Sequence, residues 1–123
     1  MGSEEGSMKV GWMEFEGWVS IIEAQIRLSK EVFVDLYAFP RGGLILGVVL
    51  SHRLNLPLRQ SIGPHTLLVD DIADTGNTLK GYYQKKAVLV WREGSIVSPE
   101  FFGIKIRKEV SWVNFPWEEV LGG

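Results

Sequence analysis

A chain of 123 residues, 46% hydrophobic and 23% charged, has the size and make-up of one globular domain. Its formal net charge of −2, with no basic run, argues against a general binder of nucleic acid or membrane surfaces. The lack of cysteine excludes disulfides and thiolate metal sites and is compatible with a cytoplasmic protein, and no apolar stretch reaches the ~18–20 residues of a membrane span.

Residues 1–8 begin with a Gly/Ser/Glu-rich run and are expected to fray, leaving 9–123 as the domain. From about Trp12 to Ser29, Phe15, Trp18, Val19, Ile22 and Ile26 recur at spacings of three and four, the pattern of a helix covering a core. Val32–Phe39 is nearly continuous in apolar, β-branched and aromatic residues, which suits a central strand buried on both faces. Pro40-Arg41-Gly42-Gly43 breaks that strand, and a largely buried helix over Leu44–Leu54 follows. A strand, a glycine turn and a helix together make a layout that brings backbone N–H groups close to an anion. Asn55–Leu58 leads into a short strand, and Arg59–His65 connects it quickly to the next.

The run Leu67-Leu68-Val69-Asp70-Asp71-Ile72-Ala73-Asp74-Thr75-Gly76-Asn77-Thr78 is the centre of the chain. Three apolar residues of a buried strand meet two adjacent carboxylates, a third carboxylate follows, and a Thr/Gly/Asn turn leads to a helix expected over Thr78–Tyr83. The start of such a helix attracts a phosphate, and the paired carboxylates can hold sugar hydroxyls or a hard cation. Ala87–Trp91 reads as another buried strand, ending at Arg92-Glu93-Gly94. Three loops thus follow three parallel strands at the edge where open α/β sheets bind ligands.

The Asp-Asp run resembles the signature of the type I phosphoribosyltransferases, in which hydrophobic residues precede Asp-Asp and then Asp-Thr-Gly-x-Thr. The resemblance implies a single α/β domain with a mostly parallel, twisted sheet flanked by helices. It implies that Asp70, Asp71, Asp74, Thr75, Gly76, Asn77 and Thr78 bind phosphoribosyl pyrophosphate. Arg41, Gly42 and Gly43 then form the pyrophosphate loop, where the family commonly holds a strained or cis peptide, here expected near Pro40–Arg41. Asp71 becomes the magnesium ligand, and Asp74 the catalytic carboxylate that accepts the purine N7 proton. A helix N-cap is the structural alternative for Asp74.

The tail Ser111-Trp112-Val113-Asn114-Phe115-Pro116-Trp117-Glu118 is similar to the Trp-Ile-x-x-Pro-Trp-Asp segment of bacterial xanthine–guanine enzymes. That similarity implies a small C-terminal nucleobase-binding segment. Trp112 stacks on the purine, Val113 and Asn114 lie beside it, and Arg92 stands near the family's Lys that donates to the purine O6. The implied activity is transfer of phosphoribosyl to a 6-oxopurine in purine salvage, by a homo-oligomer expected to be a dimer. The family usually carries a long lid loop before its Asp-Asp strand, and Arg59–His65 is much shorter. That departure motivates a second reading, a non-catalytic sensor of phosphoribosyl pyrophosphate or a nucleotide.

Overall fold

The computed structural model describes residues 6–118. Its first strand, β1 (Ser7–Lys9), pairs in parallel with the last, β6 (Trp112–Asn114), so that Met8 lies opposite Val113. Residues 6–8 are therefore held in place rather than frayed. The partner lies over 100 positions away, so no local pattern marks it. Met8 also packs against the main core. The expectation for residues 1–5 lies outside the described residues.

Helix α1 (Trp12–Ser29) matches its expected span. The Glu14 carboxylate accepts the Gly11 N–H at 2.9 Å, and Lys30 closes the helix in the left-handed region at φ 60°. Phe15, Val19, Ile22 and Ile26 are buried along one stripe. Strand β2 (Asp35–Ala38) is shorter than the apolar run containing it, and α2 (Gly43–Leu54) follows directly after the glycine turn. Leu58 makes a single parallel bridge to Leu36. Strands β3 (Thr66–Ala73), β4 (Lys86–Arg92) and β5 (Phe101–Ile106) complete a four-stranded parallel sheet in the order β2-β3-β4-β5.

Both helices lie on one side of this sheet. Their buried residues join Leu36, Leu67, Val69, Leu89 and Phe101 in one core. Each fully buried Leu, Ile, Val or Phe there stabilises the fold by about 1.5–3 kcal/mol relative to exposure. The Gln25 amide pins α1 to β5, donating to the Phe102 carbonyl at 3.0 Å and accepting its N–H at 2.9 Å. On the other side, Phe39, Leu68, Leu79 and Val88 form a second cluster with Tyr37, Trp91, Val97 and Phe102, covered by loops.

The helix expected over Thr78–Tyr83 is absent: residues 77–81 form consecutive turns. Gly76 and Gly81 both take positive φ, 92° and 89°, and bracket the segment. One helix-type bond, Lys80 N–H to the Gly76 carbonyl at 2.9 Å, closes it. Four residues between two such glycines cannot offset the cost of nucleating a helix. Among the described residues, no helix is long and apolar enough to cross a membrane.

Candidate active site

The parallel order places the ends of β2, β3 and β4 side by side, which brings the three expected loops together. The peptide between Pro40 and Arg41 is cis, at the place expected. The two glycines after it lie directly against β3. A Cβ on Gly42 would overlap the Asp71 carboxylate. One on Gly43 would lie 2.8 Å from the Val69 carbonyl oxygen and 2.9 Å from the Asp70 Cα. Only glycine allows this loop and the Asp-Asp strand so close an approach.

The strand continues three residues beyond Asp70, so both carboxylates sit within β3 rather than at its end. Each turns back on its own chain. Asp70 Oδ1 accepts the Asp71 N–H at 2.9 Å, and Asp71 Oδ1 accepts the Ile72 N–H at 2.8 Å. Asp70 is 9% exposed, and burial together with the adjacent Asp71 charge pushes its carboxyl up to about 8. Asp71 is also raised, chiefly by burial and also by the negative charge of Glu118. Two carboxylates sharing a poorly solvated space cannot both ionise freely, so the pair retains a proton near neutrality.

Residues 74–79 form a cradle without a helix behind it. Gly76 at φ 92° makes the bend, and a Cβ there would lie 2.8 Å from Ile96 Cγ1 and 2.9 Å from the Val97 nitrogen. Thr75 closes a small loop by accepting the Asn77 N–H at 3.2 Å on its hydroxyl, while its carbonyl accepts the Ile96 N–H at 2.9 Å. The N–H groups of Gly76, Thr78 and Leu79 make no hydrogen bond among the described residues. Unpaired amides gathered around a bend form an anion nest. Without a helix at 78–83, the turn offers these amides rather than a helix dipole to an anion, and Asp74 is not a helix cap. A cavity of about 260 Å³ lies here, bounded by Pro40, Gly42, Asp70, Asp71 and residues 72–79.

A second cavity, of about 190 Å³, shares Asp71, Ile72 and Asp74 with the first and adds Arg92, Ser111, Trp112, Val113, Phe115 and Glu118. Trp112 is 61% exposed at its edge, whereas the Val113 side chain is buried in the core. Asn114 does not line it. The Asn114 carbonyl accepts the Val10 N–H at 2.8 Å, and Glu118 supplies the acid on that side. Arg92 is not an unengaged donor. Its Nε donates to Asp74 Oδ1, and its Nη1 donates to the Val110 carbonyl and, at 3.4 Å, to that of Lys108. Arg41 is exposed; its carbonyl accepts the Leu44 N–H at 3.1 Å, and its side chain makes no hydrogen bond or ion pair among the described residues. It lines a separate apolar cleft with Trp12, Leu44, Ile45 and Trp117. Residues 95–97, which buttress Gly76, and Glu118 belong to the site as well. The loop carried no signal beyond its turn composition.

No known family model matches the chain. A xanthine–guanine phosphoribosyltransferase of Idiomarina loihiensis is 25% identical over 77% of each chain. Among solved structures, a purine phosphoribosyltransferase from Pyrococcus horikoshii superposes with a TM-score of 0.75 at 24% identity, covering 92% of this chain and 95% of that one. A xanthine–guanine–hypoxanthine phosphoribosyltransferase of Helicobacter pylori gives 0.79 at 20% identity, covering 94% and 95%. A Neisseria gonorrhoeae protein solved with bound ppGpp gives 0.66 at 19% identity, covering 91% and 90%. The fold is that of the type I phosphoribosyltransferases, and the chain resembles the bacterial xanthine–guanine enzymes.

Proposed function

We propose that this chain is a purine phosphoribosyltransferase, taking phosphoribosyl pyrophosphate and a 6-oxopurine (guanine, xanthine or hypoxanthine) to a nucleoside monophosphate and pyrophosphate. The observation carrying this reading is the pair of adjoining cavities that share Asp71, Ile72 and Asp74. One has the amides of an anion nest, and the other an exposed tryptophan. A sugar phosphate in the first would direct its C1 toward a planar base in the second.

In this reading the amides of Gly76, Thr78 and Leu79 hold the 5′-phosphate and so fix C1. The backbone N–H groups of Arg41 and Gly42, which make no hydrogen bond among the described residues, face the pyrophosphate as charge gathers on it, while that of Gly43 is taken by the Phe39 carbonyl at 2.9 Å. The bond from C1 to pyrophosphate breaks, the bond from C1 to the purine N9 forms, and Asp74 accepts the proton that leaves N7. Trp112 stacks on the base, and Arg92 Nη2, which makes no hydrogen bond among the described residues, is left to donate to a purine carbonyl.

Magnesium fits this donor set. Asp70 and Asp71 offer hard oxygen ligands whose mutual repulsion a cation relieves. Among the described residues, no group of three or more His, Cys, Asp or Glu forms a cage. An ion that takes one or two carboxylates and completes its shell from substrate and water suits such a site, with Asp71 as its protein ligand. When bound, it neutralises charge on the departing pyrophosphate.

The test is a base panel with labelled phosphoribosyl pyrophosphate and magnesium, reading out monophosphates. Product with guanine, xanthine or hypoxanthine supports the reading, and Asp74→Asn should lower turnover roughly 10²–10⁴-fold. Only seven residues separate the Leu58 bridge from β3, and that short connection keeps a sensor in view. Tight binding of phosphoribosyl pyrophosphate with no product over hours would select the sensor.

A further inference from the structure

We infer that Arg92 is a positioning residue, one that commits the Asp74 carboxylate to the nucleobase side of the site. The inference rests on the assignment of Asp74 as proton acceptor. Asp74 lines both cavities, so the orientation of its side chain decides which one it serves. It follows β3 immediately, is 54% exposed, and no partner other than Arg92 holds its carboxylate among the described residues. Arg92 lies across the nucleobase cavity at the last position of β4.

The Arg92 side chain is only 14% exposed, and its own position is fixed from the far side. Nη1 is anchored on the carbonyls of Val110 and Lys108, in the connection between β5 and β6. That connection is tied in turn to the end of β4. The Glu93 N–H donates to the Ile106 carbonyl at 2.8 Å, and the Glu93 carboxylate accepts the Lys108 N–H at 3.3 Å. The planar guanidinium thus spans from the sugar-phosphate turn to the segment leading into Trp112. A rigid fork can make both contacts at once, which a lysine ammonium cannot do in the same geometry. With Oδ1 held by Arg92, Oδ2 remains open to accept a proton from a base seated beside Trp112. The same tether fixes the spacing between that carboxylate and the stacking ring.

The test is a double-mutant cycle of Arg92→Met and Asp74→Asn on the full chain, with Arg92→Lys as the conservative variant. Thermal melts of each confirm the folded state. Arg92→Met should lower kcat roughly 10–100-fold while the Kd of phosphoribosyl pyrophosphate, measured by calorimetry, changes less than about threefold. In the Asp74→Asn background the same substitution should cost little more in kcat at saturating base, since Arg92 acts on the chemical step through Asp74, and loss of its Nη2 contact to the base would show in KM for the base. Arg92→Lys should recover part of kcat. Fully additive losses, or a loss in sugar-phosphate affinity equal to that in kcat, would overturn the inference. A crystal structure of Arg92→Met gives a readout without turnover, so it separates this inference from the enzyme reading. Asp74 turned away from the Trp112 cavity supports it, and Asp74 unmoved refutes it. An inactive wild-type chain would fail the enzyme reading and still leave that structural outcome decisive.

Discussion

Replacing Asp70 by Asn should flatten the dependence of stability on pH. Asp70 is buried beside Asp71, and burial with its neighbour's charge raises its carboxyl to about 8. An Asp in an unfolded chain titrates near ~3.9. The folded state therefore holds this proton more tightly than the unfolded chain. The stability it contributes is complete below about pH 4 and is lost as pH rises through about 8. Each pH unit within that window costs up to about 1.4 kcal/mol, and integrating from pH 6 to pH 8 gives about 2 kcal/mol. For a domain of this size that corresponds to a fall in Tm of roughly 8 °C. Asn keeps an oxygen to accept the Asp71 N–H, now at 2.9 Å, and carries no titrating proton. The assay is a set of thermal melts of both proteins at pH 6, 7 and 8 in chelator. The Asn variant should lose less than half of the wild-type drop and should be the more stable of the two at pH 8. Parallel curves for the two proteins would refute the reasoning.

Gly42→Ala should reduce affinity for phosphoribosyl pyrophosphate by more than about tenfold and destabilise the fold by about 1–3 kcal/mol, because the new methyl overlaps the Asp71 carboxylate. Calorimetry and urea melts measure the two effects. Trp112→Ala should raise KM for the base about tenfold or more, by loss of a stacking surface worth about 1–3 kcal/mol, and should leave stability nearly unchanged since the ring is 61% exposed. Gln25→Ala should cost about 1–3 kcal/mol in urea melts without altering ligand affinity, because it strips partners from both backbone groups of Phe102, remote from the site.

What the sequence disclosed follows the range of each signal. Phe15, Val19, Ile22 and Ile26 repeat at helical spacing, and α1 was legible to its ends. The Asp-Asp run and the Arg-Gly-Gly turn each pair a strand end with residues of special backbone freedom, so their convergence followed from a parallel sheet. The missing helix at 78–83 shows the limit of composition. The positive φ at Gly76 is set against the 95–97 loop, a tertiary contact that neighbouring residues do not reveal, while Gly81, also at positive φ, lies in open space. The β1–β6 pairing was hidden for a similar reason, since strand partners far apart leave no periodicity. Arg92 was expected to face the base; it lines that cavity, and the structure also ties it to Asp74 and to the carbonyls of Lys108 and Val110. Side-chain engagement of that kind is set by the loops around it rather than by the strand it ends.

The most direct measurement is a crystal structure of the chain with ribose 5-phosphate. The account predicts the phosphate on the amides of Gly76, Thr78 and Leu79, with the ribose hydroxyls toward Asp70 and Asp71. A phosphate bound elsewhere, with the 74–79 bend empty at saturating ligand, would contradict it.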